Sequence, residues 1–347
     1  MTELLNPKDF PDRFESVEHL EDFMSTPSQA LVDDLKTVQG DIVILGVAGK
    51  MGVTLARMAK RAAPEKRIVG VARFSDQQEK EKLASWGVET IACDLLDRDA
   101  VALLPKLPNV IYMAGKKFGT EGDQEMTWAM NTLVPSIVAE AYKDSRIVAF
   151  STIHVYPAVN VMHRGSLDTD PPFARPGEYA NSVVGRERMF QYFSKKYQTP
   201  GRIIRLSYSI DMRYGVLQEI ANWVLNEQEI DLTTGHVNII WQGDANSQIL
   251  RCLGHCEVPS APINITGPEV VSVRDLALQF GRIFGKKPKF KGTEQDTIVV
   301  NGDLAADLFG YPSVPVRKMV AWVADWAVNK KPLFGKPSKF EVHTGKF

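Results

Sequence analysis

Cysteine is scarce in this chain. Only Cys93, Cys252 and Cys256 occur in 347 residues, and an odd number does not make a closed disulfide framework. His255 lies between Cys252 and Cys256, but no second pair of ligands follows at zinc-site spacing, so no metal centre is expected. A reduced, cytoplasmic protein is the simpler expectation. Net charge is nearly absent too: 41 Lys and Arg oppose 42 Asp and Glu, leaving −1. No global field recruits nucleic acid or an anionic membrane surface. No apolar run is long enough to span a bilayer, and the N-terminus lacks a positive start followed by an apolar core. Internal repeats and low-complexity segments are missing as well. What is present is ordinary for a globular protein: 44% hydrophobic and 24% charged residues, with length for one large or two modest domains.

The chain is organised around residues 41–52, Asp-Ile-Val-Ile-Leu-Gly-Val-Ala-Gly-Lys-Met-Gly. A mostly β-branched run reads as a buried strand, and a helix-like segment follows the third glycine. Gly46 allows a sharp turn. Gly49 lets backbone approach a phosphate, and Gly52 lets helix and strand pack closely. With Lys50 and Met51 between them, these residues open a helix whose free N–H groups and positive end suit a pyrophosphate. An ordinary glycine turn in an α/β fold is the alternative.

From residue 40 onward, strand and helix patterns alternate. Strands are expected at 42–45, 67–72, 90–93, 110–114, 146–150 and 201–207. Helices are expected at 51–62, 76–86, 100–104, 124–142 and 178–196. This order implies right-handed crossovers and a parallel sheet with helices on both faces. The expected fold is therefore α/β: a Rossmann-like, doubly wound parallel sheet over residues 40–209, followed by a smaller α/β substrate lobe over 210–330. A strand at 262–266 returns to the main sheet. Residues 1–39 read as two short helices covering the sheet's edge or bottom, with Ser28 as a cap. Residues 331–347 read as a loosely held tail.

Ligands on such sheets sit beyond the strands' carboxyl ends, so those positions matter most. Arg73 ends the second strand where an acidic residue would hold a ribose hydroxyl. It suits a 2′-phosphate instead, tipping the cofactor toward NADP, with NAD as the alternative. Asp94 and Leu95 end the third strand; Asp94 either accepts from an adenine amino group or caps the next helix. Ala114 and Gly115 end the fourth, and their small size lets a cofactor lie against backbone. Lys116 and Lys117 follow, placed either for an anionic substrate or in a solvated loop. The fifth strand ends in Ser151, Thr152, Ile153 and His154, whose hydroxyls can bond a carbonyl or alcohol oxygen. Tyr179 opens a helix, where the positive helix end favours its anion.

Together these segments resemble the extended short-chain dehydrogenase/reductase superfamily, the NAD-dependent epimerases and dehydratases. The resemblance covers roughly residues 40–270. It rests on Gly46, Gly49 and Gly52, on Asp94, on Ala114-Gly115, on Asn131 in Met-Asn-Thr-Leu, on Phe150 to Pro157, and on Tyr179 with Glu187. It implies that Thr152 orients the reacting oxygen, that Tyr179 moves the proton, and that Tyr179 and Asn131 contact the cofactor. One departure stands out. The family pattern Tyr-x-x-x-Lys ends here in Val183. Arg186, on the same helix face, could reach back to supply the missing cation. Lys116 or Lys117 could supply it from another side, or the redox step is lost. His154 is placed as an acid or base, or as a structural residue of the turn. In the lobe, Arg213, Tyr214 and Trp241 are candidate substrate contacts.

These readings imply hydride transfer between NADP or NAD and a sugar-derived secondary alcohol or ketone. The reading from another class is a dinucleotide-binding sensor or scaffold without turnover. A homodimer is expected, paired through the helices bearing Asn131 and Tyr179.

Overall fold

The computed structural model describes residues 3–120, 122–174 and 176–342. In chain order the strands are β1 (Ile42–Leu45), β2 (Ile68–Ala72), β3 (Glu89–Ala92), β4 (Asn109–Tyr112), β5 (Arg146–Thr152), β6 (Gly201–Leu206), β7 (Tyr208–Ile210), β8 (Glu229–Asp231), β9 (His236–Trp241), β10 (Ala261–Ile265), β11 (Val270–Ser272) and β12 (Lys289–Lys291). Seven of them form one parallel sheet in the order β10-β6-β5-β4-β1-β2-β3. β1 is apolar at every position because helices bury both of its faces. The chain runs outward from β1 through β2 and β3, then crosses back to begin the other half at β4. The crevice beyond β1 and β4 is therefore the topological switch point, where such sheets bind ligands.

The lobe is built on two small sheets, β11-β9-β7 and β12-β8. Helices Val216–Leu225, Val273–Phe284 and Val316–Val328 cover it. Neither β8 nor β12 carries a long enough pattern to be read from sequence. β10 returns beside β6, with Ala261 opposite Arg202.

The N-terminal helices do more than cover an edge. Ser16 and Ser28 cap helices Val17–Met24 and Gln29–Thr37. Leu31 and Leu35 enter the core on one face of the main sheet. Phe14, Leu20 and Met24 enter the lobe core around Trp241 and Trp322. The extension thus ties the two cores together, reinforced by ion pairs Asp22–Arg57 at 2.6 Å and Glu21–Arg213 at 2.7 Å.

The C-terminal segment differs from the loose arm expected of it. Phe340 is buried, with its ring 5.7 Å from Trp223. Phe334 covers the Arg213 guanidinium at 4.5 Å, and its N–H donates to the Arg213 carbonyl. Ser338 donates backbone and hydroxyl hydrogens to the Glu219 carboxylate. Two aromatic anchors and a polar latch replace solvent along this strap, which is why scattered lysines misled the sequence reading.

Candidate active site

The glycine turn has the geometry its spacing implied. Gly46 adopts φ +94°, and an added Cβ would lie 2.7 Å from the Ala114 nitrogen. At Gly52 the same atom would lie 2.2 Å from the Val47 carbonyl oxygen, so helix Gly52–Ala62 packs directly on the turn. Gly49 meets nothing closer than 3.4 Å, which leaves its open side to the crevice. The helix begins without a side-chain cap. The Gly49 and Gly52 N–H groups donate within the turn, to the Gly46 and Gly49 carbonyls at 3.2 and 2.9 Å, and Gly49, Lys50 and Met51 line a cavity of about 570 Å³ at the positive end of the helix.

Across this cavity stand Thr152 and Tyr179. β5 delivers Thr152 at its carboxyl end. Gly177, at φ +117°, turns the chain into helix Glu178–Tyr197, so Tyr179 is the second helical residue. The helix end was expected to make Tyr179 more acidic. Burial outweighs it and raises the phenol above its ordinary value, while the Arg186 charge and the nearby Thr152 hydroxyl pull it down.

Arg186 reaches back from two turns along the same helix and lines the cavity. Its guanidinium donates to the Phe150 carbonyl at 3.0 Å and to Asn131 Oδ1 at 2.6 Å. The side chain is therefore buried and turned inward, not exposed on the helix. Asn131 sits in a π-helical turn, Ala129–Leu133, between helices Gln124–Trp128 and Val134–Ala141. That wider turn directs its amide inward, where Oδ1 accepts from Lys116 N at 2.9 Å and Nδ2 donates to the Ser182 hydroxyl at 3.0 Å. Gly115 is small by necessity: a Cβ there would lie 2.2 Å from Arg186 Nη2. Val183, the departure from the family pattern, is fully buried among Ile153, Val155 and Tyr156.

The model of the NAD dependent epimerase/dehydratase family matches residues 42–210. This segment, just under half of the chain, is similar to that family. Solved structures agree in fold. A UDP-glucuronic acid 4-epimerase from Bacillus cereus, in complex with UDP-glucuronic acid and NAD, is similar at TM-score 0.70 and 19% identity, covering 84% of this chain and 99% of its own. A dTDP-glucose 4,6-dehydratase from Streptomyces venezuelae with NAD bound gives TM-score 0.71 and 15% identity, covering 83% and 97%. A UDP-glucose 4-epimerase from Thermus thermophilus complexed with NAD gives 0.66 and 18%, covering 82% and 98%. At such identities the likeness speaks for the fold alone. No curated protein matches the chain significantly in sequence.

Several expected site residues lie elsewhere. Arg213 is buried behind the wall, held by both Asp211 oxygens at 2.8 and 3.0 Å and by Glu21; it is a structural ion pair, not a substrate contact. Trp241 is 1% exposed and stacked with Phe14, because the lobe core needs its area. His154 does not line the cavity: it is buried edge-on behind Tyr179 and Tyr208, with ring centroids 6.1 Å away from each. Asp94 is exposed, and its Oδ1 accepts from Leu96 N at 3.0 Å, the capping alternative. Leu95 is packed into the core beside Val71. Arg73 is exposed beyond β2. Lys116 pairs with Asp123, whereas Lys117 lines the cavity. The lining also includes Tyr208, Ser209 and Tyr214 of the lobe and Phe334, Lys336 and Ser338 of the C-terminal strap. Of these, only Tyr214 was foreseen; the strap carries no local motif. Among the described residues, no group of three or more His, Cys, Asp or Glu side chains could hold a metal, and no helix is long and apolar enough to cross a membrane.

Proposed function

We propose that this protein is an NAD- or NADP-dependent enzyme acting on a sugar-derived secondary alcohol or ketone, as an epimerase, dehydratase or dehydrogenase. One observation carries the reading: Thr152, Tyr179 and the uncapped glycine turn line one cavity. The residues fit a pyridine dinucleotide. The turn would receive its pyrophosphate, and Ala114 and Gly115 leave backbone exposed beside Asn131. When bound, the dinucleotide supplies a hydride acceptor or donor. The chain's own part is proton transfer. Thr152 donates to or accepts from the reacting oxygen and fixes its position. Tyr179 takes the alcohol proton during oxidation and returns it during reduction. Arg186 stabilises the intervening phenolate in the role that Val183 cannot fill. Arg73 is the proposed discriminator between NADP and NAD.

The test is reduced-cofactor fluorescence and absorbance with a panel of sugars, sugar acids and nucleotide sugars. Turnover that falls by about 10²–10⁴ in Tyr179→Phe supports the reading. Full turnover in that variant removes the proton-donor role. Cofactor binding with no redox change across the panel would favour a sensor or scaffold instead. We also propose a homodimer through helices Gln124–Ala141 and Glu178–Tyr197. Phe190 and Phe193 are spent on the core, but Met126, Trp128, Leu133 and Tyr192 are exposed there. A monomeric mass by sedimentation at micromolar concentration would refute it.

A further inference from the structure

Lys50 stands between the second and third glycines, yet its side chain does not stay with the turn. It crosses the crevice, and Nζ donates to the Ser209 carbonyl at 3.1 Å and lies 4.5 Å from the centre of the Tyr214 ring. Both partners belong to the lobe side. Among the described residues no carboxylate lies within ion-pair distance of Nζ; Asp211, whose charge acts on it, is occupied by Arg213 on both oxygens. Burial pushes the Lys50 ammonium down to about 8, and the charge of Lys117 pushes the same way. Lys117 lines the same cavity and donates to the Ser338 carbonyl at 3.1 Å. The acid on this lining is Glu79, on helix Gln77–Ser85, near Lys336 rather than Lys50.

An ammonium carries three donors, and a carbonyl with a ring face leaves Lys50 short of negative charge. A neutral hydroxyl would not relieve that; an anion would. The glycine turn already offers backbone N–H groups for a cofactor pyrophosphate, on the side that Lys50 leaves. We propose that Lys50, with Lys117, selects a substrate bearing a carboxylate or phosphate on the portion that enters the crevice beside Tyr214. This deepens the function proposed above and rests on the crevice being a substrate site.

The test uses the full chain saturated with NAD and two matched pairs of probes: glucuronic acid against glucose, and glucose 6-phosphate against glucose. Calorimetry reads each affinity, and NAD affinity is measured separately. The expected result is an acid member that binds about tenfold tighter than its neutral partner, corresponding to ~1.4 kcal/mol. Lys50→Met abolishes the preference, Lys50→Arg keeps most of it, and NAD affinity changes by less than about twofold (~0.4 kcal/mol). The pair that discriminates tells carboxylate from phosphate. Equal affinities within both pairs, a preference that survives Lys50→Met, or no acid binding at millimolar concentration would overturn the proposal. So would a parallel loss of NAD affinity, which would make Lys50 a cofactor residue. Acid selectivity without any NAD binding would refute the redox reading and leave this one standing.

Discussion

Arg205 and Arg186 are both buried guanidiniums beside β5, and they are held in opposite ways. Arg205 donates to both Glu187 oxygens, at 2.8 and 3.0 Å, and to the Tyr156 hydroxyl at 2.7 Å. Glu187 also accepts from the Ser151 hydroxyl, and Tyr156 reaches Asn264 on β10. Every charge in that network has its counterpart, and it lies behind the crevice wall. Arg186 is held by amide and carbonyl oxygens only, as Lys50 is by a carbonyl and a ring. These two line the cavity. Burial of charge is thus used twice. Where carboxylates complete it, the result is a rigid wall. Where only neutral dipoles surround it, positive potential is left for a ligand or a developing phenolate.

That contrast is easiest to break from the satisfied side. Glu187→Ala strands the Arg205 charge in the interior and should cost about 3–5 kcal/mol, read as a large fall in thermal midpoint. A near-neutral result would mean that the network is not what holds β5, β6 and the helix together. Arg186→Met should instead leave the fold in place while lowering turnover by about 10²-fold, ~2.7 kcal/mol in barrier. The Tyr179 phenol, freed of its nearby cation, moves further up. The acid limb of the oxidation profile therefore shifts to higher pH. Turnover that is lost while this limb stays in place would point to a structural role.

Stopping the chain after Pro332 removes the strap. It should cost about 1.5–3 kcal/mol through the loss of Phe340 burial, and it should speed cofactor release as measured by stopped-flow fluorescence. Unchanged release would place the strap outside the ligand path. The smallest effect has the opposite sign. Lys50→Met should stabilise the protein at pH 7 by about 1 kcal/mol, because it removes a desolvated charge. The folded lysine titrates near 8 and the unfolded one near 10.5. The unfolded state therefore holds more proton between those values, and wild-type stability rises with pH there. The advantage of the variant should shrink over the same window. A destabilised variant at pH 7 would show Lys50 to be structural.

Local pattern carried much of this molecule. β-branched runs, glycine spacing and helix periodicity depend on residues adjacent in the chain. They sufficed for the parallel sheet, the switch point, and the approach of Thr152 to Tyr179. The substrate contacts assigned to Arg213 and Trp241 failed for one reason. Whether an arginine or a tryptophan faces ligand or core is decided by partners remote in sequence, here Glu21 and Phe14. Asp94 is instructive because both of its readings use the same oxygen, and only coordinates showed it turned to Leu96.

From sequence alone, this chain was committed to an α/β sheet of the epimerase/dehydratase kind, with a hydroxyl pair beyond its strands and a valine where a lysine is customary. Periodicity and turn chemistry are short-range forces, written directly in neighbouring residues. Tertiary structure alone decided that Arg186 bends back beneath Tyr179, that Lys50 crosses to the lobe, and that Phe334, Lys336 and Ser338 close one wall. Those outcomes depend on which long side chain finds an oxygen, at what depth and against which segment, and desolvation and packing set them only once the chain has folded.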